Sequence, residues 1–404
     1  MTVPIFQSDL PKGFSFASAH CGLKRTRHDL GLFASETLAS AAAVFTTNRV
    51  AAAPVLVSRQ HVRKSRGRMR AVVVNSGNAN CCTGSRGRAA SLETAHAAAR
   101  ELDGVDASQI LVCSTGVIGV PLRVEKILHT LPALAKSRRG EAGSFEQFAR
   151  AIMTTDTRPK WSAARFRSGG KTVRIVGCAK GSGMIEPHMA TMLAFIATDA
   201  SISPSLLSRA LRAAVNTTFN AITVDGDTST NDTVAVLANG AAGARKISGN
   251  SPDFRKFLAA LGKVCHELAL AIVADGEGAQ RVIEIEVRGA PTDEKADKIA
   301  RTIANSPLVK TALAGGDPNW GRILAAAGRS GVAFDPERAG IRLANVEVCR
   351  RGLERPFSER ILHSKLLADH VPIVVDLHSG KGRARVWTCD FTGEYVRINA
   401  SYRS

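Results

Sequence analysis

Thr191 lies between two stretches of very different composition. The preceding stretch, Lys180 to Pro187, contains two glycines and a proline and is typical of a loop. The following stretch, Met192 to Ala197, is apolar and predicts a buried strand. A hydroxyl at such a junction could cap or edge the strand, or it could be a nucleophile that reaches a substrate from a flexible arm. The local pattern does not decide between the two.

A second run of residues could supply an oxyanion site. Ile110 to Cys113 predicts a buried strand, and Ser114-Thr115-Gly116-Val117-Ile118-Gly119 follows it directly. A glycine after a hydroxyl residue at the end of a strand can leave its backbone N–H free to bind a developing negative charge. A tight turn requires the same residue types, so a purely structural interpretation stays open.

Further polar runs could either line a site or form turns. They are Asn75 to Gly84, rich in small amides; Thr154 to Lys160, in which three threonines surround Asp156; and Ala274 to Ala279, in which glycines flank a glutamate. The run Thr223 to Thr233 resembles a calcium loop, but its acidic residues lack the EF-hand spacing and the closing glutamate. Residue pattern alone does not give these runs a role.

The common cofactor and metal motifs are missing from the sequence. It contains no Gly-x-Gly-x-x-Gly unit for a dinucleotide, no Walker loop for a phosphate, and no Gly-x-Ser-x-Gly or Cys–His arrangement for a conventional triad. The eight cysteines form no C-x-x-C pair and do not cluster with histidines, so we expect reduced thiols and no metal. We predict no resident cofactor, and a nucleophile would need a base other than histidine.

The composition predicts a globular protein with an uneven charge. The 404 residues suffice for two or three domains or one large α/β unit, and no apolar run is long enough to cross a membrane. The N-terminus lacks the pattern of a secretory signal, so we expect a cytoplasmic protein. The net charge of +19 divides into +15 for residues 1–190 (27 Lys and Arg against 12 Asp and Glu) and +4 for residues 191–404 (27 against 23).

The densest basic run extends from Arg59 to Arg70. It could bind a polyanion or nucleic acid, or steer anionic substrates toward a site. No aromatic residue interrupts the run and no nucleic-acid-binding motif accompanies it. We therefore favour a solvated basic surface, and nucleic acid is not expected as a partner.

The periodicity of apolar residues predicts a mixture of helices and strands, and these elements could position the polar runs. Helices are predicted at 89–102, 122–136, 144–153, 204–214, 252–271 and directly after the turn at 315–322. Strands are predicted at 44–49, 53–57, 71–74, 110–113, 172–178, 192–197 and 282–287, and a closing hairpin from 372–377 and 383–388. No repeat of 20–50 residues indicates a solenoid.

Taken together, the blocks of this chain resemble the ornithine acetyltransferase family of the cyclic arginine pathway. The likeness covers nearly the whole chain, in the family's order, through FTTNRVAAAPV, VVVNSGNAN with CTG, STGVIGVPL, MTTDTRPK, KGSGMIEPHMATMLAFIATDA, DGDTSTNDT, ADGEGA, GGDPNWGRI and EYVRINASYRS. Eight or more long blocks in sequence are far more specific than a single short motif.

The resemblance implies a self-cleaving enzyme whose nucleophile is an N-terminal threonine. Members of the family cut between the alanine and the threonine of the M-A-T-M-L motif, here Ala190 and Thr191. Residues 1–190 would form an alpha chain with the oxyanion hole and substrate contacts, and residues 191–404 a beta chain that begins with the nucleophile. The α-amine of Thr191 would then supply the missing base, because its ordinary pKa of about 7.7–8.0 suits proton transfer near neutral pH.

The implied reaction is a ping-pong transfer of acetyl from N2-acetylornithine to glutamate through an acetyl ester on Thr191. Thr115 (side chain) and Gly116 (backbone N–H) match the family's oxyanion positions. The family's substrate contacts carry over to Thr154, Lys180, Thr191, Glu277, Asn399 and Ser404. A lysine can pair with a substrate carboxylate and a glutamate with an ammonium group.

Some positions are less well determined or depart from the family. Thr154 is chosen over Thr155 and Thr157 by its place in the motif. His188 stands where the family commonly has asparagine, and Cys81 where it commonly has alanine. Neither departure replaces a catalytic position, but His188 is close enough to the cut to alter the cleavage rate.

The resemblance further implies an α/β fold, a layered α-β-β-α-type sandwich built from both cleaved chains and assembled as α2β2. Small-molecule substrates are expected, with acetyl-CoA as a possible co-substrate that would make the enzyme bifunctional. Two alternatives stay open. One is a related self-processing N-terminal-nucleophile aminopeptidase or hydrolase, and the other is a basic polyanion-binding protein without catalysis.

Overall fold

Two β-sheets and eleven α-helices make up the computed structural model, which describes residues 4–186 and 192–401. The first sheet contains β1 (Phe14–Ala19), β2 (Leu30–Phe45), β3 (Arg68–Asn78), β4 (Ile110–Val117), β5 (Lys160–Ser168), β6 (Lys171–Lys180), β7 (Leu193–Thr198) and β8 (Thr233–Ala238). The second contains β9 (Val282–Ala290), β10 (Gly340–Leu343), β11 (Val346–Arg350), β12 (Leu353–Glu354), β13 (His370–Asp376) and β14 (Gly382–Cys389).

The helices are α1 (Ala53–Lys64), α2 (Gly84–Arg100), α3 (Val124–Ser137), α4 (Ala142–Ala151), α5 (Pro204–Asn216), α6 (Pro252–Val273), α7 (Asp293–Ala304), α8 (Pro307–Ala314), α9 (Trp320–Gly328), α10 (Glu359–Leu366) and α11 (Gly393–Ser401). The expected α/β fold class is confirmed. No helix in the described parts of the chain is both long and apolar enough to span a membrane.

The long strand β2 organises the eight-stranded sheet. The strand order is β4-β3-β2-β8-β7-β6-β5, and β1 pairs with the first half of β2 while β8 pairs with its second half. Strands β7 and β8 follow the predicted cut in sequence, yet they lie between strands that precede it. The predicted division of the chain at 190/191 therefore runs through a single sheet.

The sequence of β7 is continuously apolar because both faces of the strand are buried. Ala194 and Ile196 belong to the core under α5 and α6, whereas Leu193 and Phe195 belong to a phenylalanine-rich core with α4. A strand that is covered on both faces needs apolar residues at every position, since neither set of side chains reaches water. The strand predicted at 192–197 is confirmed.

One face of the six-stranded sheet packs in an apolar core, while the opposite face is largely exposed apart from Trp387, which packs against His266 of α6. Its order is β12-β11-β10-β13-β9-β14, and alternate residues of β9 such as Ile283 and Ile285 pack in a core with α7, α9 and α10. The intervening Glu284 and Glu286 make ion pairs on the opposite face. This alternation is what the half-buried strand predicted at 282–287 requires.

The strand predicted at 53–57 is wrong, because these residues begin helix α1. Pro54 lies in the first turn, where its fixed φ suits the helix and its missing N–H leaves no hydrogen bond unmade. Val55 and Val57 are buried against neighbouring apolar residues. A run of five apolar residues fits a short strand or a buried helical turn equally well, so periodicity could not separate them.

The predicted closing hairpin is also wrong. Strands β13 and β14 do not pair with each other, because β9 lies between them, parallel to β13 and antiparallel to β14. The connection crosses the end of β9, where the Ser379 N–H donates to the Gly289 carbonyl at 2.7 Å. Strands β13 and β14, although joined by a short connection, thus lie on either side of β9. The sequence does not reveal this order, because it depends on the long-range pairing of β9.

Candidate active site

One cavity collects most of the residues that the sequence singled out. Its lining includes six of the predicted site residues: Thr115, Gly116, Thr154, Lys180, Glu277 and Asn399. Met192 and Leu193 also line it, so the described chain resumes at the cavity wall directly after the predicted nucleophile. Ala190, Thr191 and Ser404, as well as His188, lie outside the described residues, and their roles stay predictions.

The end of β4 brings Thr115 and Gly116 to this cavity. Gly116 has a φ of +129°, and a Cβ at this position would lie 2.4 Å from the carbonyl carbon of Gly77 in the neighbouring strand β3. Only glycine fits such a close backbone approach. The glycine is therefore required by strand packing, whatever its backbone N–H does in addition.

The amide-rich run that begins in the last residues of β3 is held together mainly by its own and neighbouring amides. Asn75 Nδ2 donates to the Asn78 carbonyl at 2.9 Å. From the other side, Asn231 Nδ2 donates to the Ala79 carbonyl at 2.6 Å and to the Ser114 carbonyl at 2.8 Å. Ala79 lines the cavity, while these amides fix the backbone that forms its wall. The turn interpretation of these asparagines fits their contacts.

Lys180 is the last residue of β6 and its amine lies beside the predicted oxyanion residues. Its side chain is buried, and Nζ is 3.4 Å from Thr115 Oγ1. Burial lowers the pKa of the Lys180 amine from its ordinary value, although nearby Asp156 and Glu277 act against this shift. A carboxylate that entered the cavity would favour the protonated amine and pair with it.

Glu277 and Asn399 form the opposite part of the lining and contact each other. Asn399 Nδ2, from α11, donates to Glu277 Oε2 at 2.8 Å, and the Glu277 N–H donates to the Ser182 carbonyl at 2.8 Å. A Cβ at Gly183 would lie 2.5 Å from the Glu277 carboxyl carbon. The lack of a side chain at Gly183 thus leaves room for the Glu277 carboxylate, which could bind an ammonium group.

A buried ion triad joins the segments that carry these residues. Lys160 is 2% exposed, and its Nζ lies 2.6 Å from one carboxylate oxygen each of Asp156 and Asp275. The Gly181 N–H also donates to Asp156 Oδ1 at 2.7 Å. Lys160 therefore joins the threonine-rich loop to the glycine-flanked acidic loop, and Asp156 joins both to the backbone of Gly181.

The charge state of Asp156 follows from these contacts. Burial alone would raise the pKa of its carboxyl group, but Lys160, Lys180 and the Gly181 N–H together lower this pKa below its ordinary value. The carboxylate is thus ionised throughout the neutral range and remains a partner for both amines.

The threonines around Asp156 have distinct surroundings. Thr154 and Thr155 line the cavity, and Thr155 Oγ1 is 2.7 Å from Ser182 Oγ. The Thr157 hydroxyl instead donates to Asp275, which is a member of the buried ion triad. Thr154 and Thr155 are thus both placed for a ligand, and the choice of Thr154 stays a prediction.

Sequence reasoning missed several residues of the site. Asp225 and Tyr395 line the cavity, and Lys160 and Asp275 support it from below. Asp225 belongs to the polar run Thr223 to Thr233 and to the family block DGDTSTNDT, but neither pattern indicates which residue of the run faces the cavity. Lys160 ends the polar run Thr154 to Lys160, but a lysine after a proline is ordinary surface composition and does not indicate a buried ion pair. Among the described residues, no group of three or more His, Cys, Asp or Glu is placed to hold a metal ion.

Comparisons with known proteins agree with one another. The profile of the ArgJ family matches residues 15–404. The arginine biosynthesis bifunctional protein ArgJ of Chlorobaculum tepidum is 48% identical over 396 residues, covering 98% of this chain and 96% of that one. Its counterpart in Caldanaerobacter subterraneus subsp. tengcongensis is 46% identical, covering 98% of both chains. A crystal structure of the Bacillus halodurans protein of the same name is 46% identical with a TM-score of 0.51, covering 52% of this chain and 100% of that chain.

Proposed function

The chain belongs to the ArgJ family, and from this premise we propose that it transfers acetyl from N2-acetylornithine to glutamate, giving ornithine and N-acetylglutamate. It is an enzyme of arginine biosynthesis, a glutamate N-acetyltransferase of the ornithine acetyltransferase type. The observation that carries the proposal is the convergence of predicted site residues on one cavity: Thr115, Gly116, Lys180, Glu277 and Asn399. The described chain resumes at the wall of this cavity with Met192, directly after the predicted nucleophile.

Maturation would expose the nucleophile. Hydrolysis of the amide between Ala190 and Thr191 leaves a carboxylate on the alanine and a free α-amine on the threonine. That amine can accept the hydroxyl proton of the same residue, which removes the need for a histidine. The length of the Bacillus halodurans chain supports a cut near the middle, since all of it matches 52% of this chain.

The acetyl group would then move in two steps. In the first, Thr191 Oγ attacks the acetyl carbonyl of N2-acetylornithine, its proton passes to the leaving nitrogen through the α-amine, and ornithine departs. In the second, the amine of glutamate attacks the acetyl ester, and Thr191 recovers its hydroxyl as N-acetylglutamate leaves. Two donors, the Thr115 hydroxyl and the Gly116 N–H, would bind the oxyanion in both steps, and loss of one such donor typically costs ~10²–10³ in rate.

Charges in the cavity match the substrates. Both substrates are amino acids with a carboxylate, and the amine of Lys180 is buried in the lining with Thr115 as its neighbour. Ornithine has an ammonium group that Glu277 can receive, with Asn399 orienting the carboxylate through its hydrogen bond. Thr154 and Ser404 complete the proposed substrate contacts, together with Thr191 itself.

Several finer features belong to the same proposal. No resident cofactor is required, and acetyl-CoA would serve as a second acetyl donor to glutamate, which makes the enzyme bifunctional. The two cleaved chains, residues 1–190 and 191–404, would assemble as α2β2 in the cytoplasm. The basic run from Arg59 to Arg70 lies at the end of α1 and the start of β3, and none of its residues lines the cavity, which counts against a direct role in binding the substrates.

Intact-mass analysis of the purified protein tests the proposal most directly. We expect two fragments that meet at Ala190 and Thr191 in the wild type, and one full-length chain in Thr191→Ala. Thr302→Ala is the matched control, because its hydroxyl donates only within the exposed surface of α7; it should be cleaved like the wild type. A single full-length chain in wild type and control alike would overturn the proposal.

Product analysis separates the enzyme from its alternatives. The cleaved protein should form N-acetylglutamate from N2-acetylornithine and glutamate without acetyl-CoA. Release of ornithine to water alone would indicate a hydrolase of related architecture, and an uncleaved chain with salt-sensitive nucleic-acid binding would indicate a polyanion-binding protein. A separate assay with acetyl-CoA as the only donor tests bifunctionality, and no product there would reject it.

A further inference from the structure

The three residues Met184, Ile185 and Glu186 directly precede the predicted cleavage segment and are held unusually firmly. We call them the upstream anchor. The Met184 N–H donates to Asp225 Oδ2 at 2.6 Å and the Ile185 N–H to Asp225 Oδ1 at 2.8 Å. Successive backbone N–H groups that converge on one carboxylate form a nest, an arrangement that fixes the direction of the chain.

The carbonyl groups of the upstream anchor are held from the same side. The Ile185 carbonyl accepts the Val224 N–H at 2.7 Å and the Thr223 hydroxyl at 3.0 Å. The Glu186 carbonyl accepts the Thr228 hydroxyl at 3.0 Å. The upstream anchor is thus tied to residues 223–228 up to the last residue before the cleavage segment.

Helix α7 holds the side chain of Glu186. Asn305, directly after α7, donates to Glu186 Oε2 through Nδ2 at 3.0 Å, and Arg301 Nη1 lies 3.4 Å from Oε1. Asn305 also accepts the Thr223 hydroxyl at 2.7 Å, which joins this contact to the backbone contacts. Helix α7, which packs on the six-stranded sheet, therefore takes part in fixing a segment that lies between two strands, β6 and β7, of the other sheet.

Asp225 stabilises an uncommon backbone conformation at Met184. Met184 has a φ of +57°, in the left-handed region that a residue with a Cβ rarely occupies, at a cost of about 1–3 kcal/mol. Both N–H groups that this conformation aligns point to the Asp225 carboxylate. Burial raises the pKa of that carboxyl group above its ordinary value, in line with its enclosed position between the anchor and Tyr395.

A downstream anchor lies on the other side of the cleavage segment. The Met192 carbonyl accepts the Thr233 N–H at 3.0 Å, and Leu193 pairs with both Lys180 and Thr233 in the sheet. The residues that flank the cleavage segment are therefore fixed on both sides. Fixed ends restrict the positions that a short segment can reach, and such restriction is a main source of rate in intramolecular reactions.

We propose that Asp225 is a positioning residue for the self-cleavage. By holding the upstream anchor in its left-handed turn, it fixes the position and direction of the chain up to Glu186, from which the cleavage segment continues. The cleavage consumes one water and leaves the Ala190 carboxylate and the Thr191 α-amine. This inference rests on the proposed function, because it concerns the same bond.

The test compares two isosteric substitutions of carboxylates that each accept two backbone N–H groups. Asp225→Asn removes one of the two acceptor oxygens and sets an amide N–H₂ against a backbone N–H. Asp199→Asn is the matched control, since Asp199 also accepts two backbone N–H groups, from Arg174 at 2.8 Å and Lys12 at 3.2 Å, and burial likewise raises its pKa. It lies beyond the far end of β7, away from the cavity lining.

The measurement is the rate at which newly synthesised full-length chain converts to the two fragments, followed by intact mass, together with Tm. We expect Asp225→Asn to cleave at least ~10-fold more slowly than the wild type. Asp199→Asn should cleave at the wild-type rate although its Tm falls by a similar amount. Loss of stability alone would slow both variants alike, so the difference between them reports positioning.

A second variant guards against a folding defect. Thr228→Val removes the hydroxyl that the Glu186 carbonyl accepts while keeping the side-chain shape, and it should also slow cleavage, by a smaller factor. Wild-type rates in folded Asp225→Asn or Thr228→Val would overturn the inference and leave the proposed function intact. An uncleaved wild type would overturn both.

Discussion

The active-site cavity and the outer face of the six-stranded sheet both carry arrays of charged side chains, but water reaches the two arrays very differently. At the cavity, Lys160 is held between Asp156 and Asp275 with its side chain 1% exposed. On the sheet, Arg385 pairs with Glu284 at 3.1 Å while its side chain is 49% exposed. Both arrays pair a basic side chain with two carboxylates, and burial distinguishes them.

Burial changes what such a pair does. On an exposed face, water and salt screen each pair, and the strand would be formed by its apolar side whether or not the charges met. In the buried triad, neither carboxylate can turn to water if the amine is lost. The charges of the cavity thus hold three loops in one arrangement, whereas those of the sheet keep a half-buried sheet solvated.

The largest effect is expected for Lys160→Met. Removal of the amine leaves Asp156 and Asp275 buried side by side without their shared partner, which should lower the free energy of unfolding by about 3–5 kcal/mol. Urea denaturation in the Thr191→Ala background, where a single chain is expected, measures it. Lys263→Met removes an amine that is 60% exposed and should change stability by less than about 0.5 kcal/mol. Equal losses of stability in the two variants would contradict the conclusion that burial distinguishes the two charge arrays.

A smaller effect, with a characteristic pH dependence, is expected for Asp156→Asn. Lys160 keeps Asp275 as a partner, so the loss near neutral pH should be roughly 1–3 kcal/mol. The pKa of Asp156 is lowered in the folded protein, so its contribution is present above its unfolded pKa of about 3.9 and is lost as the pH falls toward the folded value. The difference in the free energy of unfolding between wild type and variant should therefore decrease below about pH 4. Urea denaturation midpoints from pH 6 to pH 3 measure this difference, and a difference that does not change with pH would contradict the lowered pKa of Asp156.

Regular periodicity made much of the fold predictable. Helix α6 was predicted at 252–271 and extends over Pro252–Val273, and the strand predicted at 282–287 forms the first part of β9. Such elements are encoded locally, because a long amphipathic or alternating pattern excludes other structures. The order of β13, β9 and β14 could not be predicted, since it depends on which distant strand supplies the hydrogen bonds.

The site residues likewise fall into those that could be predicted from the sequence and those that could not. Family blocks identified Thr115, Lys180 and Glu277, and the structure brings these residues to one cavity. Lys160 and Asp225 were missed because their importance depends on partners that are distant in sequence or on the backbone of the arm. A residue that acts by holding other residues leaves no local pattern, so only the folded chain reveals it.

The smallest effect is expected for Arg385→Gln on the outer face of the sheet. Its guanidinium contacts Glu284 and, at 3.3 Å, Glu286, and both pairs are partly exposed, so the loss of stability should stay below about 1 kcal/mol and shrink further in 0.5 M salt. Cleavage should proceed at the wild-type rate, because the residue does not line the cavity. A loss above about 2 kcal/mol would mean that these charges are desolvated in solution. Since the face is open in the single chain, that result would place another molecule over it, and a dependence of the loss on protein concentration would identify that molecule as a second copy of the chain.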